Sequence, residues 1–478
     1  MKSKDTGSPQ VIPIISQDQT VELIPLYAAH QKIYPRGVKG LFNNWRWAMV
    51  WLTQLIFYGL PWLEWGQRQA VLFDLGVRRF YIFGLVLYPQ DFIYLTGLMV
   101  ISALSLFLFT AVAGRLWCGY ACPQTVYTEI FLWVERLVEG GRSAHMRRDR
   151  QGWDLDRIAR KAGKHLIWIV IGLWTGFTFV GYFTPIRGLG MQYLQMSMSS
   201  WETFWAFFYG FATYGNAGFM REQVCKHMCP YARFQSAMFD KDTLIVTYDT
   251  QRGEPRGARS RKADPAALKL GACVDCDLCV QVCPTGIDIR KGLQYECIGC
   301  GACVDGCNAV MDRVGYARGL IKYSTDNAIK QGWNQQQVLR HILRPRVLIY
   351  STILLSIVLA MLISLSLRTA FKVDVVRDRG VMARTVASGN IENVYRLQIM
   401  NAVEKAQRYK ISVSGLPGLR LDSDSVVQIE STEARWVSVR VQAPTSDLAA
   451  GSHPIHFEIE SLDQPGHITE KSVFLMPR

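Results

Sequence analysis

Five stretches of the chain contain no Asp, Glu, Lys or Arg: Trp47 to Leu63, Phe92 to Gly114, Leu166 to Ile186, Thr203 to Met220 and Val347 to Leu367. A helix rises 1.5 Å per residue, so about 20 apolar residues cross a bilayer core. The pattern therefore predicts five transmembrane helices, the first at the short limit, with Trp62 and Trp65 placed like interfacial anchors. Val71-Leu-Phe-Asp and Phe80 to Tyr88 are too short to span and predict a small hairpin or interfacial loop. Beyond residue 372 the period changes from helical to two. Tyr395-Arg-Leu-Gln-Ile-Met, Tyr409-Lys-Ile-Ser-Val-Ser, Val426-Val-Gln-Ile-Glu, Trp436-Val-Ser-Val-Arg-Val, Ile455-His-Phe-Glu-Ile-Glu and Val473-Phe-Leu-Met predict short strands, with turns such as Leu416-Pro-Gly between them. That spacing fits a small all-β sandwich.

Charge orients the spans. Lys and Arg collect on the cytoplasmic side of short loops. Six precede the first span and nine lie between residues 135 and 164, after the second; three follow the first span and one follows the third. This predicts a multi-pass protein of a bacterial inner membrane, with the N-terminus inside and the C-terminal domain outside. The net charge of +14 then serves orientation, and no nucleic-acid partner is expected. No secretory signal is expected either, because Met1-Lys-Ser-Lys leads into polar residues.

The expected organisation is a cytoplasmic tail (1–44), a membrane domain with four helices (45–240), a basic linker (241–265), a cysteine-rich insert (266–345), a fifth membrane helix (346–368) and an outer β domain (372–478).

All 12 cysteines lie between Cys118 and Cys307. The insert reads Cys273-x2-Cys276-x2-Cys279-x3-Cys283-Pro284, then Cys297-x2-Cys300-x2-Cys303-x3-Cys307. Three thiolates from one tight loop hold three irons of a [4Fe–4S] cube, and the fourth cysteine crosses to the other cube. On that rule Cys273, Cys276, Cys279 and Cys307 ligate one cluster, and Cys297, Cys300, Cys303 and Cys283 the other. Eight cysteines in two matching runs do not fit one zinc ion, and a disulfide framework does not suit a cytoplasmic insert. The runs resemble the bacterial two-cluster ferredoxin, although the second ends in Cys307-Asn308 rather than Cys-Pro.

The other four cysteines form two CxxxCP motifs, Cys118-Gly-Tyr-Ala-Cys122-Pro123 and Cys225-Lys-His-Met-Cys229-Pro230, each directly after a predicted span. This reads as a weak internal repeat of two hairpins. Pro after each motif suits the first turn of a helix. Thiols there, close in sequence to Arg115, Arg221 and Lys226, are expected to have lowered pKa values. If the hairpins pack together, four soft ligands converge, suited to Cu(I), zinc or an iron–sulfur cluster. Met228 and His227 would also suit copper. Two pairs of buried structural cysteines are the alternative. His165 could serve a haem but has no partner at matching depth. Gln54 and Asn216 read as inter-helix hydrogen bonds, and His453 and His456 as surface strand residues.

With these pieces placed, the chain resembles the cytochrome c oxidase accessory protein family, called CcoG, FixG or RdxA. The resemblance rests on Ile33-Tyr-Pro-Arg, Cys118-Gly-Tyr-Ala-Cys-Pro-Gln-Thr, Cys225-Lys-His-Met-Cys-Pro-Tyr-Ala-Arg-Phe-Gln, Gly253-Glu-Pro-Arg-Gly and the eight-cysteine insert. It implies an immunoglobulin-like C-terminal sandwich and two [4Fe–4S] clusters. It also implies a membrane-bound oxidoreductase reducing Cu(II) to Cu(I) for assembly of a cbb-type cytochrome c oxidase. Copper is then a substrate, Cys118, Cys122, Cys225 and Cys229 are the candidate copper-handling residues, and the partners are a cytosolic electron donor and oxidase assembly factors or copper chaperones. Related membrane ferredoxins with two CxxxCP motifs oxidise quinol, which supplies a second reading. A non-enzymatic copper chaperone or scaffold is the third.

Overall fold

The structure is a computed structural model that describes residues 11–15, 21–25, 32–152, 154–259, 268–378, 383–444 and 449–477. Most of the expected cytoplasmic tail before residue 32, and residues 260–265 of the expected basic linker, lie outside the described residues. The chain falls into two compact units. One is Met1–Trp47, Gly114–Ile167 and Met220–Asn334; the other is Ala48–Ala113, Trp168–Phe219 and Gln335–Arg478.

The first nine helices in chain order are α1 (Leu41–Gly59), α2 (Phe92–Ala113), α3 (Leu116–Tyr120), α4 (Pro123–Val138), α5 (Arg142–Arg150), α6 (Leu155–Val180), α7 (Ile186–Leu194), α8 (Ser200–Gly215) and α9 (Pro230–Met238). Among the described residues, three helical segments are long and apolar enough to cross a membrane: Pro89–Ala113, Leu155–Val180 and Pro345–Ser366. The five expected spans thus become three of clear membrane length. Helix α1 starts six residues before its apolar run and includes Arg46, whose guanidinium is buried against Glu129 at 2.7 Å. Helix α8 has only 16 residues before the backbone widens into a π-turn at Asn216–Met220.

In the second unit α2 pairs antiparallel with Pro345–Ser366. Tyr94 donates to the Ser364 carbonyl at 3.2 Å, a Cβ on Gly97 would stand 3.1 Å from Met361 Sδ, and Arg344 donates to the Ala111 carbonyl at 2.5 Å. Helices α6 and α8 meet through glycine. A Cβ on Gly172 would lie 2.7 Å from the Gly210 carbonyl oxygen, and one on Gly176 would collide with that of Ala206. Such small-residue contacts let helix backbones approach where apolar burial supplies no drive. Phe92, Ile93, Met99, Leu355 and Ile363 stay exposed, as lipid-facing residues must.

The expected hairpin is a three-stranded sheet of Val71–Asp74, Arg79–Ile82 and Leu85–Leu87. Its Leu72, Tyr81, Val86 and Tyr88 pack against Met400 of the C-terminal domain, and Tyr88 donates to the Asn401 carbonyl at 2.8 Å. Buried Asp91 accepts from Arg368 at 2.7 Å and from Lys372.

The C-terminal domain is a sandwich of two antiparallel sheets. One orders Phe371–Arg377, Ile391–Asn401, Ala434–Ala443 and Arg420–Leu421, with Arg384–Thr385 added at Ile391–Asn401. The other orders Val426–Ile429, Gln407–Ser414, Gly451–Ser461 and His467–Met476. Alternate residues of the predicted strands face inward, and Tyr395, Leu397, Ile399, Tyr409, Phe457 and Phe474 are essentially fully buried. The strand Phe371–Arg377, where Phe371 and Val373 are buried and alternate with Lys372 and Asp374, is not among the strands expected from sequence.

In the first unit a two-stranded sheet, Ile245–Tyr248 with Ile321–Ser324, backs the cysteine-rich loops and the helix Ala302–Val314. Asp305 of that helix accepts the backbone N–H of Asn43 at 2.8 Å, tying the start of α1 to the insert.

Candidate iron–sulfur and thiol centre

All twelve thiols belong to the first unit and none is in a disulfide. The two cysteine runs fold alike. In the first, Asp275 and Asp277 on either side of Cys276 have φ of 51° and 53°; in the second, Gly299 and Gly301 flank Cys300 with φ of 65° and 72°. Left-handed residues on both sides of the middle cysteine curl the loop so that its three thiols face inward. Glycine takes that conformation freely, and aspartate is among the few other residues that tolerate it. The aspartates have compensation, since the Arg290 guanidinium, only 7% exposed, bonds Asp275 at 2.7 Å, Asp277 at 2.6 Å and Asp288 at 2.8 Å. Sequence reading passed over this clamp, because an Asp-Cys-Asp stretch looks like a solvated surface.

The thiols of the two runs lie close enough to influence one another. Cys297, Cys300 and Cys303 all feel the charge of Cys283. Cys307 feels Cys279, Cys273 and Cys276. Cys279, Cys283, Cys297, Cys300 and Cys303 line one cavity. Burial pushes the Cys297 and Cys307 thiols up to about 12 and Cys279 to about 11. Such thiols give up their protons to a metal rather than to water. Two facing sets of four, in loops curled for them, fit two [4Fe–4S] cubes.

The two CxxxCP motifs converge as a third set. Cys118 feels the charge of Cys122 and Cys225, Cys122 that of Cys229, and Cys225 that of both Cys122 and Cys229. Cys122 and Cys229 are the N-caps of α4 and α9, with extended backbones and Pro123 and Pro230 as first helical residues. Around Cys225 the chain widens into a second π-turn, Val224–Met228, after Arg221 at φ 43°; such turns concentrate at functional sites. The expected lowering of these thiol pKa values fails for three of the four. Burial pushes Cys118 up to about 12 and Cys225 to about 11, and it raises Cys122 against the pull of the Thr125 and Gln124 N–H groups. Desolvation outweighs the nearby dipoles and cations.

Of the three cations expected beside these thiols, Arg115 lies close to them. Its guanidinium is 5% exposed and donates to the carbonyls of Ala232 at 2.5 Å and Cys297 at 3.4 Å, and to that of Tyr295. It so joins α3, α9 and the second cysteine run. Arg221 turns instead to Glu135 at 2.6 Å. Gln235, fully buried, accepts from Cys118 Sγ at 3.4 Å. Tyr120 and Tyr323 donate to the carbonyls of Cys300 and Gly299, at 3.3 and 2.6 Å. Tyr120 and Gln235 belong to the sequence stretches of the two CxxxCP motifs, whereas Tyr323 lies outside any motif and only the fold brings it to the loops.

Glu135, Glu139 and His145 place ligand atoms within 4.8 Å of one another. Lys164 Nζ stands 3.1 Å from Glu139 and 3.6 Å from Glu135, and His145 lies 2.9 Å from Glu139. The carboxylates are already neutralised by cations, so this is an ion-pair network.

A 4Fe-4S dicluster domain matches residues 220–326, a 4Fe-4S binding domain residues 95–139, and the "IG-like fold at C-terminal of FixG" residues 361–477. The chain is 38% identical to nitrogen fixation protein FixG of Rhizobium meliloti, over 82% of this chain and 81% of that protein. It is 39% identical to protein RdxA of Cereibacter sphaeroides, over 90% of this chain and 93% of that one. A three-set thiol centre, membrane-length helices, the β-sandwich and these likenesses agree: the chain belongs to the FixG/RdxA family and is an iron–sulfur electron-transfer protein.

Proposed function

We propose that the protein takes single electrons from a cytosolic donor protein and passes them to Cu(II), releasing Cu(I) for assembly of a cbb-type cytochrome c oxidase. The observation that carries this reading is the gathering of all twelve thiols in one unit. Bound cubes supply one-electron chemistry at low reorganisation cost. In this reading Cys273, Cys276, Cys279 and Cys307 hold one, and Cys297, Cys300, Cys303 and Cys283 the other. The Arg290 clamp and the Tyr323 and Tyr120 hydrogen bonds keep the loops rigid, and Cys273, Cys279 and Cys300 are buried while Cys276 is exposed. Each Cu(II) gains one electron, each donor loses one, and no proton need move.

The exit for the electron is the CxxxCP side. There Met228 is 56% exposed and His227 is exposed beside it, between Cys225 and Cys229. A thioether and an imidazole beside thiols favour Cu(I) over harder ions. In our reading the short helices α1 and α8 complete a five-span anchor in a bacterial inner membrane, with the thiol unit inside and the sandwich outside. The test is to supply Cu(II) and a chemical reductant to the purified full chain and follow Cu(I) with a selective chelator. Catalysed reduction that falls at least tenfold in His227→Ala/Met228→Ala supports the proposal. A rate equal to that of the reductant alone overturns it.

A second reading, quinol oxidation, draws on a cavity of about 800 Å³ in the other unit. Phe179, Phe183, Trp201, Trp205 and Tyr209 line it, with Glu202 bonded to Thr184 at 3.0 Å. Its size and its apolar wall with few polar groups suit an aromatic head group. Quinol-dependent bleaching of the clusters without copper would favour that reading.

A further inference from the structure

We propose that Arg115 is the counter-cation of the cluster at Cys283, Cys297, Cys300 and Cys303, and that its charge makes this cluster the electron acceptor of the pair. The inference rests on the cluster assignment of the proposed function and is independent of copper.

Arg115 is an unbalanced charge. Among the described residues three Lys or Arg side chains are buried: Arg46, Arg115 and Lys164. Two of them have carboxylates. Arg46 lies 2.7 Å from Glu129, and Lys164 lies 3.1 Å from Glu139. Arg115 forms no ion pair among the described residues. Its two terminal nitrogens donate to the carbonyls of Tyr295, Cys297 and Ala232, and its Nε is buried without a hydrogen bond. A guanidinium does not shed its proton in a protein, and a buried ion without a counter-charge is strongly disfavoured. The arrangement therefore calls for an anion beside Arg115.

The anion at hand is sulfur. Arg115 directly precedes α3, and its backbone lies against the loop of the second cysteine run, where a Cβ on Gly299 would stand 3.3 Å from the Arg115 carbonyl oxygen. Its charge acts on the thiols of Cys297, Cys118 and Cys225, opposing the rise that burial imposes on each. Cys297 belongs to the second run, and the other two belong to the CxxxCP motifs. A cube with four thiolates is an anion, and reduction adds one more negative charge. A fixed cation stabilises the reduced form more than the oxidised form, so it raises the reduction potential.

The first run has no such cation. Its guanidinium, Arg290, is bonded to Asp275, Asp277 and Asp288, so its charge is already cancelled. Arg46 acts on Cys300 but is held by Glu129. The second cluster is thus the higher in potential. The transfer moves one electron from the first set to the second; no bond forms or breaks, and Arg115 keeps its proton. The electron comes to rest beside the CxxxCP thiols, which share the same cation.

The test is a redox titration, followed by paramagnetic resonance, of the full chain purified in detergent without oxygen. The signal missing in Cys300→Ser marks the second cluster. We expect that signal to titrate above the other in wild type. In Arg115→Gln its reduced-to-oxidised ratio at a fixed potential should fall at least about fivefold. Arg115→Lys should stay near wild type, because an ammonium keeps the charge and three donors for the three carbonyls. A smaller change in Arg115→Gln, an equal fall in Arg115→Lys, or a second cluster that titrates below the first in wild type overturns the proposal. If Arg115→Gln does not retain its clusters, labelling of arginine with nitrogen-15 decides. A nitrogen-15 coupling to the reduced second cluster that is lost in Arg115→Lys supports the counter-cation, and no coupling in wild type overturns it. A preparation without iron or acid-labile sulfide would instead remove the cluster reading itself, and a failure to form Cu(I) would bear on copper alone.

Discussion

Gly119 stands against Gly299, with a hypothetical Cβ 2.9 Å from the Gly299 carbonyl oxygen and 3.0 Å from Cys300 Cα. One residue without a side chain thus lets the first CxxxCP turn lie directly on the loop of the second cysteine run.

Gly119→Ala should force backbone against backbone, which has no rotamer escape. We expect about 1–3 kcal/mol of destabilisation and preferential loss of the cluster at Cys297, Cys300, Cys303 and Cys283. Cluster absorbance during guanidinium titration checks this; an unchanged midpoint would show that the two turns move apart freely.

The crossing of the fourth cysteines gives a sharper outcome. Cys307→Ser should cost the cluster of the first run, although Cys307 lies in the second, and Cys283→Ser the reverse. Each should lower iron by up to about four atoms per chain. Paramagnetic resonance of the two variants distinguishes which signal is lost, and loss of the same signal in both would contradict the crossing.

Arg290→Gln should loosen the first loop, because Asp275, Asp277 and Asp288 lose their shared cation. Hydrogen bonds to charged partners contribute roughly 1.5–3 kcal/mol. The first cluster should therefore bleach faster under a chelator in the variant than in wild type, with the second cluster little changed.

Acid should unfold the first unit through Glu139. Burial alone would raise its carboxyl pKa, but the His145 hydrogen bond and the Lys164 ammonium bring it down to about 2 from the ordinary 4.5. The folded value is the lower one, so its stabilisation is complete above about pH 4.5 and disappears as pH falls towards 2. The contribution is on the order of 3 kcal/mol. Glu139→Gln should be less stable at neutral pH and show a flatter acid limb, measured by circular dichroism between pH 2 and 6.

Much of this molecule is written in local pattern. The alternation at Tyr395, Leu397 and Ile399 dictates which face of that strand is buried, because a strand's side chains point to opposite sides in turn. The cysteine spacing of the insert dictates two sets of four, because the short intervals allow three thiols per loop and no more. Local pattern misled where neighbours distant in sequence take over. The apolar run from Trp47 looked like a span of its own, but α1 begins at Leu41, since Asp305 caps its first turn and Glu129 holds Arg46. The thiols of Cys118 and Cys225 looked activated by nearby bases, but packing buries them.

What the sequence by itself determined is therefore chemistry: twelve soft ligands in three groups, apolar helices of membrane length, and a β-sandwich that carries no thiol. What only the tertiary structure decided is adjacency. Arg115 between Ala232 and Cys297, Arg290 across three aspartates, and Gly119 on Gly299 join residues far apart in the chain. No spacing rule reaches that far, because such contacts are set by the packing of whole loops against one another, and a carbonyl oxygen or a missing side chain leaves no mark in the sequence of its partner.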